Sequence, residues 1–145
     1  MTFAIDELRA AIGREFPGGR YTIEPWRTWL IHDAFLVPPP AEWAHPALVF
    51  LAATASMGLS WDELFAWFGA SPADGPLFGD CEILQEQPLR VGATYTVSGK
   101  IVSAERKTGR KLGPFDLVSY RLELHDASSA FAASCRNSIV FPRKA

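Results

Sequence analysis

From His45 to Phe68 the chain is apolar almost all round, and from Gly79 onward it changes to four segments that alternate as strands do. An apolar stretch with no charged face has to be enclosed by other elements, and the helical part through Leu48, Val49, Leu51, Ala52, Ala55 and Met57 carries none. Ala52, Ala53 and Ala55 leave room for strands to approach it closely. Pro46 suits the first turn of that helix and Gly58 its end. Ser60 and Glu63 have the spacing of a capping box for a further, aromatic-rich helix through Phe68, closed by Gly69.

The strand segments each predict one wet face. In Thr94 to Val102, Tyr95, Val97 and Ile101 point one way while Thr96, Ser98 and Lys100 point the other. Val118, Tyr120, Leu122 and Leu124 repeat the pattern. After a turn at Asp126 to Ser129, Phe131, Ala133, Cys135, Ile139 and Phe141 continue it, with Asn137 as a polar interruption that needs a partner from core backbone or ligand. Upstream, the pattern predicts an amphipathic helix from Thr2 to Ile12 on Ile5, Leu8 and Ile12, a turn at Pro17 to Gly19, and a short strand from Arg20 to Ile23. A helix follows from Pro25 with Trp26, Trp29, Leu30 and Ala34 on one face, ended by Pro38 to Pro40. The expectation is an α+β domain spanning residues 1–145, an antiparallel sheet wrapped around a central apolar helix, with residues 1–19 forming an N-terminal helix and turn.

With 14 basic against 16 acidic residues there is no basic field for nucleic acid. The longest apolar run, Ala44 to Leu59, falls short of the roughly 20 residues a membrane helix needs. No signal peptide is visible, which leaves the cytoplasm as the expected compartment. Cys81 and Cys135 have no metal-ligand spacing and are expected as two reduced thiols in strands, with no metal bound.

Leu84 to Gly92, with its Pro88-Leu89-Arg90-Val91-Gly92 core, resembles the strand-entry motif of the MaoC-like hydratases and dehydratases, a hotdog-fold family acting on acyl thioesters. Lys107 to Arg110 and Gly113 to Val118 are similar to the family's hairpin and returning strand. The resemblance, which covers the chain from about Arg20 onward, implies an enoyl or 3-hydroxyacyl substrate on coenzyme A or acyl carrier protein, no further cofactor, and a dimer with an identical or different hotdog subunit. It also implies that backbone N–H groups at the start of the central helix receive the thioester oxygen. Pro46 has no N–H, so that role falls to Ala47 or its neighbours. The family's D-x-N-P-x-H loop is missing: Asp33 stands near the position of the Asp, but Leu36-Val37-Pro38 follows in place of Asn-Pro and His. This departure favours a substrate-binding half that pairs with an active subunit.

Asp33 and His45 are the candidate catalytic groups. His32 is adjacent to Asp33 on a helix, so at most one of the two faces a pocket. Ala47 and Asn137 are candidates for substrate contact, and Arg106, Lys107 and Arg110 for the carrier's phosphates or acidic surface. Two other readings stay open. One is a self-sufficient hydratase or thioesterase in which Asp33, His45 or Glu42 activates water; the other is an acyl-binding module without catalysis.

Overall fold

The computed structural model describes residues 3–143. Five strands form one antiparallel sheet: β1 (Gly19–Thr22), β2 (Leu77–Gln85), β3 (Thr94–Gly109), β4 (Gly113–His125) and β5 (Phe131–Pro142), in the order β1-β3-β4-β5-β2. The helices are α1 (Ile5–Ala10), α2 (Pro25–Ala34), α3 (Ala47–Ala55) and α4 (Trp61–Ala66), with a 3-10 turn at Pro72–Asp74. The expected α+β arrangement is the one observed, with α3 against the concave face of the sheet.

The alternation of β4 and β5 works as the sequence predicts. Val118, Tyr120, Leu122 and Leu124 are fully buried, and so are Ala133, Cys135 and Asn137. β3 runs well past Val102, to Gly109, and a bulge between Ile101 and Ser103 shifts its register against β4. One extra residue reverses which face each side chain takes. Odd-numbered Tyr95, Val97 and Ile101 point inward before the bulge; even-numbered Ala104 and Arg106 do so after it, opposite Val118 and Asp116. The inward carboxylate of Asp116 is thereby met by Arg106, at 2.7 and 3.0 Å, and by Arg143 at 2.7 Å. The same two guanidinium groups hold the carbonyls of Phe3 and Phe68, so this buried cluster ties together the N-terminal segment, the end of α4 and the end of β5.

Three helix expectations need correction. Of the stripe Ile5, Leu8 and Ile12 only Leu8 is buried, because the chain leaves the helix after Ala10 and lays Gly13 to Phe16 along β3 through backbone hydrogen bonds. The proposed start at Thr2 lies outside the described residues. In α2 the apolar face looks outward: Trp26, Trp29 and Leu30 are about half exposed while Thr28 and His32 face the body of the protein. Burial of these polar groups is tolerated because each is satisfied, Thr28 Oγ1 by the carbonyl of Glu24 at 2.9 Å and His32 as described below. The third concerns α3. Leu48, Val49, Ala52 and Ala53 are fully buried, but Ala47, Phe50, Leu51 and Thr54 on the other side are only partly covered. A helix with no charged face is thus enclosed on one side only within this chain.

Candidate functional site

The uncovered side of α3 opens on an apolar cavity of about 410 Å³ between α2, α3 and the edge strand β2, walled by Phe35, Ala47, Phe50, Phe78, Cys81 and Ile83. Phe50 and Phe78 meet edge to face at 5.9 Å across it. Every residue of β2 from Leu77 to Leu84 is exposed, since this strand pairs only with β5 and its outer edge is unpaired among the described residues. An apolar cleft beside a bare sheet edge is the shape of a half-built binding site.

The first turn of α3 stands at one end of that cleft, and its backbone donors are all engaged. α2 ends at Ala34, before the proline run, where Leu36 takes a left-handed conformation (φ 55°) and the amides of Leu36 and Val37 close onto the carbonyls of Asp33 and His32. The reversal brings the carbonyl of Pro38 to His32 Nδ1, at 2.7 Å. A carbonyl only accepts, so Nδ1 carries the proton and Nε2 is left to accept the N–H of His45, at 2.9 Å. His45 Nδ1 in turn accepts the N–H of Ala47 at 3.1 Å. The amides of Leu48 and Val49 reach the carbonyls of His45 and Pro46. With Pro46 lacking an N–H, no amide of this turn remains free for a thioester oxygen. His45 is fixed further by Phe35, stacked on it at 4.6 Å, and by His32, edge-on at 5.9 Å.

The remaining candidates separate. Asp33 is exposed on the side of α2 away from buried His32, and the two do not form a pair. Glu42 is exposed and bridged to Arg90 at 2.9 Å. Ala47 walls the cavity. Asn137 is fully buried; its Oδ1 accepts the Cys135 thiol at 3.1 Å, while its Nδ2 and the hydroxyl of neighbouring Tyr120 have no hydrogen-bond partner among the described residues. Burial pushes the Tyr120 phenol well above its ordinary range, so it stays neutral. Arg106 is committed to Asp116 and does not face a ligand; the β3 bulge that turned it inward is the reason. Lys107 lies 3.5 Å from Glu105 on the surface, and Arg110 is exposed at the tip of the β3–β4 hairpin.

Sequence reasoning missed His32 as the acceptor of the His45 amide, and it missed a groove of about 630 Å³ lined by Arg20, Trp43, Arg90 and Tyr95 among others. There the Arg90 guanidinium lies 4.9 Å from the centre of the Trp43 ring. Arg20 has no acidic partner among the described residues. Trp43 next to a predicted helix start and Arg90 in the strand-entry motif were the available signals, but only the Trp43–Arg90 bridge unites them. No helix among the described residues is long and apolar enough to cross a membrane.

No family model and no curated protein sequence matches the chain. Solved structures do. The C-terminally truncated HadBC (3R-hydroxyacyl-ACP dehydratase) complex from Mycobacterium tuberculosis aligns at TM-score 0.70 and 13% identity over 90% of this chain and 96% of that one. The ChsH1-ChsH2 complex from the same organism aligns at 0.69 and 13% over 97% and 89%. The fluoroacetyl-CoA thioesterase FlK aligns at 0.61 and 18% over 90% and 87%. The strand order, the helix held in the curve of the sheet and these alignments together establish that this chain has the hotdog fold.

Proposed function

We propose that the chain is the substrate-binding half of a two-subunit enoyl-thioester hydratase or 3-hydroxyacyl-thioester dehydratase. A second hotdog subunit would supply the acid–base pair. The observation that carries this reading is the first turn of α3, where two imidazoles occupy the amides that would otherwise receive a thioester oxygen. A developing oxyanion needs donors aimed at it, and hydration needs a base within hydrogen-bond reach of water. Here the donors are taken, Asp33 faces solvent and Glu42 is held by Arg90.

What the chain does offer is apolar surface: the open side of α3, the cavity beside it, the outward Trp26, Trp29 and Leu30 of α2, and the bare edge of β2. A partner hotdog sheet laid along β2 would cover these faces and close the cavity into a tunnel for an acyl chain. Two of the similar structures are complexes named for two components, HadBC and ChsH1-ChsH2, which supports such a pairing. The Arg20, Trp43 and Arg90 groove suits the phosphates and adenine of a coenzyme A carrier better than the hairpin Lys107 and Arg110 do, since it joins Arg20, which has no acidic partner among the described residues, to the Trp43 ring with Arg90 against it.

The test is hydration of crotonyl-CoA and longer enoyl-CoAs. Purified alone, the chain is expected to show no turnover; mixed with a hotdog subunit that carries an intact D-x-N-P-x-H loop and complexes with it, it is expected to raise turnover of the longer substrates. Turnover by the chain alone at the rate of an ordinary hydratase would overturn the proposal.

A further inference from the structure

Cys81 and Cys135 are free cysteines in β2 and β5, and the sheet brings them together. β2 pairs with β5 so that Cys81 stands opposite Asn137 and Ile83 opposite Cys135, which makes the two cysteines diagonal neighbours on the inward face. Their sulfurs are 3.5 Å apart. The two thiols differ in every other respect. Cys135 is fully buried, its S–H is directed to Asn137 Oδ1 at 3.1 Å, and burial pushes it up, so that it stays a thiol. Cys81 is exposed and sits in the wall of the apolar cavity.

We infer that Cys81 and Cys135 form a redox-active pair that a peroxide oxidant converts to a disulfide and a dithiol reductant restores. Cys81 meets the oxidant because it alone is accessible. Its thiolate sulfur attacks the peroxide: an S–O bond forms, the O–O bond breaks, and hydroxide leaves and is protonated to water, with sulfur oxidised by two electrons. Cys135 sulfur then attacks that sulfur: the S–S bond forms, the S–O bond breaks, and the departing hydroxide takes up the Cys135 proton as a second water. A dithiol reverses the step by exchange at the exposed Cys81 sulfur.

The bridge requires movement, and β2 is the strand able to make it. Diagonal neighbours in an antiparallel pair lie about 7–8 Å apart, whereas a disulfide holds its Cα atoms at about 4.4–6.8 Å. β2 is an edge strand, exposed along its length and with a register shift between Phe78 and Asp80, so a local slide along β5 can bring Cys81 closer to Cys135. Phe78 and Ile83 flank Cys81 on the cavity wall, so the same movement reshapes the cavity. None of this depends on the functional reading above.

The experiment treats the purified full chain with hydrogen peroxide, blocks free thiols with N-ethylmaleimide and maps the linkage by mass spectrometry after non-reducing digestion. The expected result is an intact mass lower by two hydrogens, a cross-linked peptide joining Cys81 to Cys135, reversal by dithiothreitol, and slower amide exchange along β2 in the oxidised form. In Cys81→Ser, an exposed substitution that spares the fold, Cys135 is expected to resist both peroxide and maleimide until the chain unfolds. Over-oxidation of Cys81 with Cys135 left free, a disulfide found only between the Cys81 residues of two chains, or oxidation of Cys135 in Cys81→Ser at the wild-type rate would each overturn the inference.

Discussion

Replacing Asp116 by Ala removes the one carboxylate that, among the described residues, sits in a buried cluster with two guanidinium groups. The Asp116 side chain has no solvent exposure, and those of Arg106 and Arg143 are 20% and 9% exposed. Removing one member of a buried ion pair costs about 3–5 kcal/mol, mostly because the remaining charge is left without compensation in low dielectric. Here two like charges remain, both still held near the core by the carbonyls of Phe3 and Phe68, so the upper part of that range applies. For a chain of this length about 4–5 kcal/mol corresponds to a melting temperature lower by about 10–15 °C. Urea denaturation followed by circular dichroism measures the change. Glu42→Ala is the control, since it breaks an ion pair whose side chains are 58% and 50% exposed, worth about 0–1 kcal/mol. Equal, small effects from the two substitutions would refute the assignment of the Asp116 cluster as the tie between the N-terminal segment, α4 and β5.

The His32 bridge and the buried phenol and thiol each carry a measurable contribution to stability. His32→Ala leaves the N–H of His45 and the carbonyl of Pro38 without their partners, and is expected to cost about 2–3 kcal/mol in denaturant unfolding while the sheet's far-ultraviolet signature persists; a loss below about 0.5 kcal/mol would remove the imidazole from its assigned role. Cys135 and Tyr120 are both pushed up by burial, which ties stability at alkaline pH to their ionisation. A group raised in the folded state contributes fully below its unfolded pKa, so unfolding free energy is expected to hold up to about pH 8.5 and then fall, by up to about 1.4 kcal/mol per pH unit for each group, more steeply above about pH 10. Tyr120→Phe is expected to remove the steeper part in a series of urea midpoints against pH.

Local pattern carried much of this fold. The phase of β4 and β5 could be read residue by residue, because a strand with one buried face has to alternate. The capping box at Ser60 and Glu63 is formed as its spacing predicts. What could not be read depends on contacts distant in sequence. A single inserted residue at the β3 bulge turned Arg106 from a surface cation into the counter-ion of Asp116, and no periodicity rule anticipates an insertion. The spacing of Trp26, Trp29 and Leu30 was legible but its direction was not, because Thr28 and His32 become tolerable inside only once Glu24, Pro38 and His45 supply their partners. The meeting of Cys81 with Cys135 depends on β2 crossing to pair with β5, the last strand in the chain. The apolar circumference of α3 correctly announced a buried helix. Its other side, with Ala47, Phe50, Leu51 and Thr54, is only partly covered within this chain, which the apolar pattern does not announce.

Two imidazoles occupy the amides at the start of α3. Nuclear magnetic resonance tests this directly, through scalar couplings across N–H···N hydrogen bonds in labelled protein. The structure predicts one coupling from the His45 amide to His32 Nε2 and one from the Ala47 amide to His45 Nδ1, both surviving addition of a saturated acyl-CoA. Absence of both couplings, or their loss with a large shift of the Ala47 amide when the thioester is added, would contradict it and return the oxyanion-binding role to this chain.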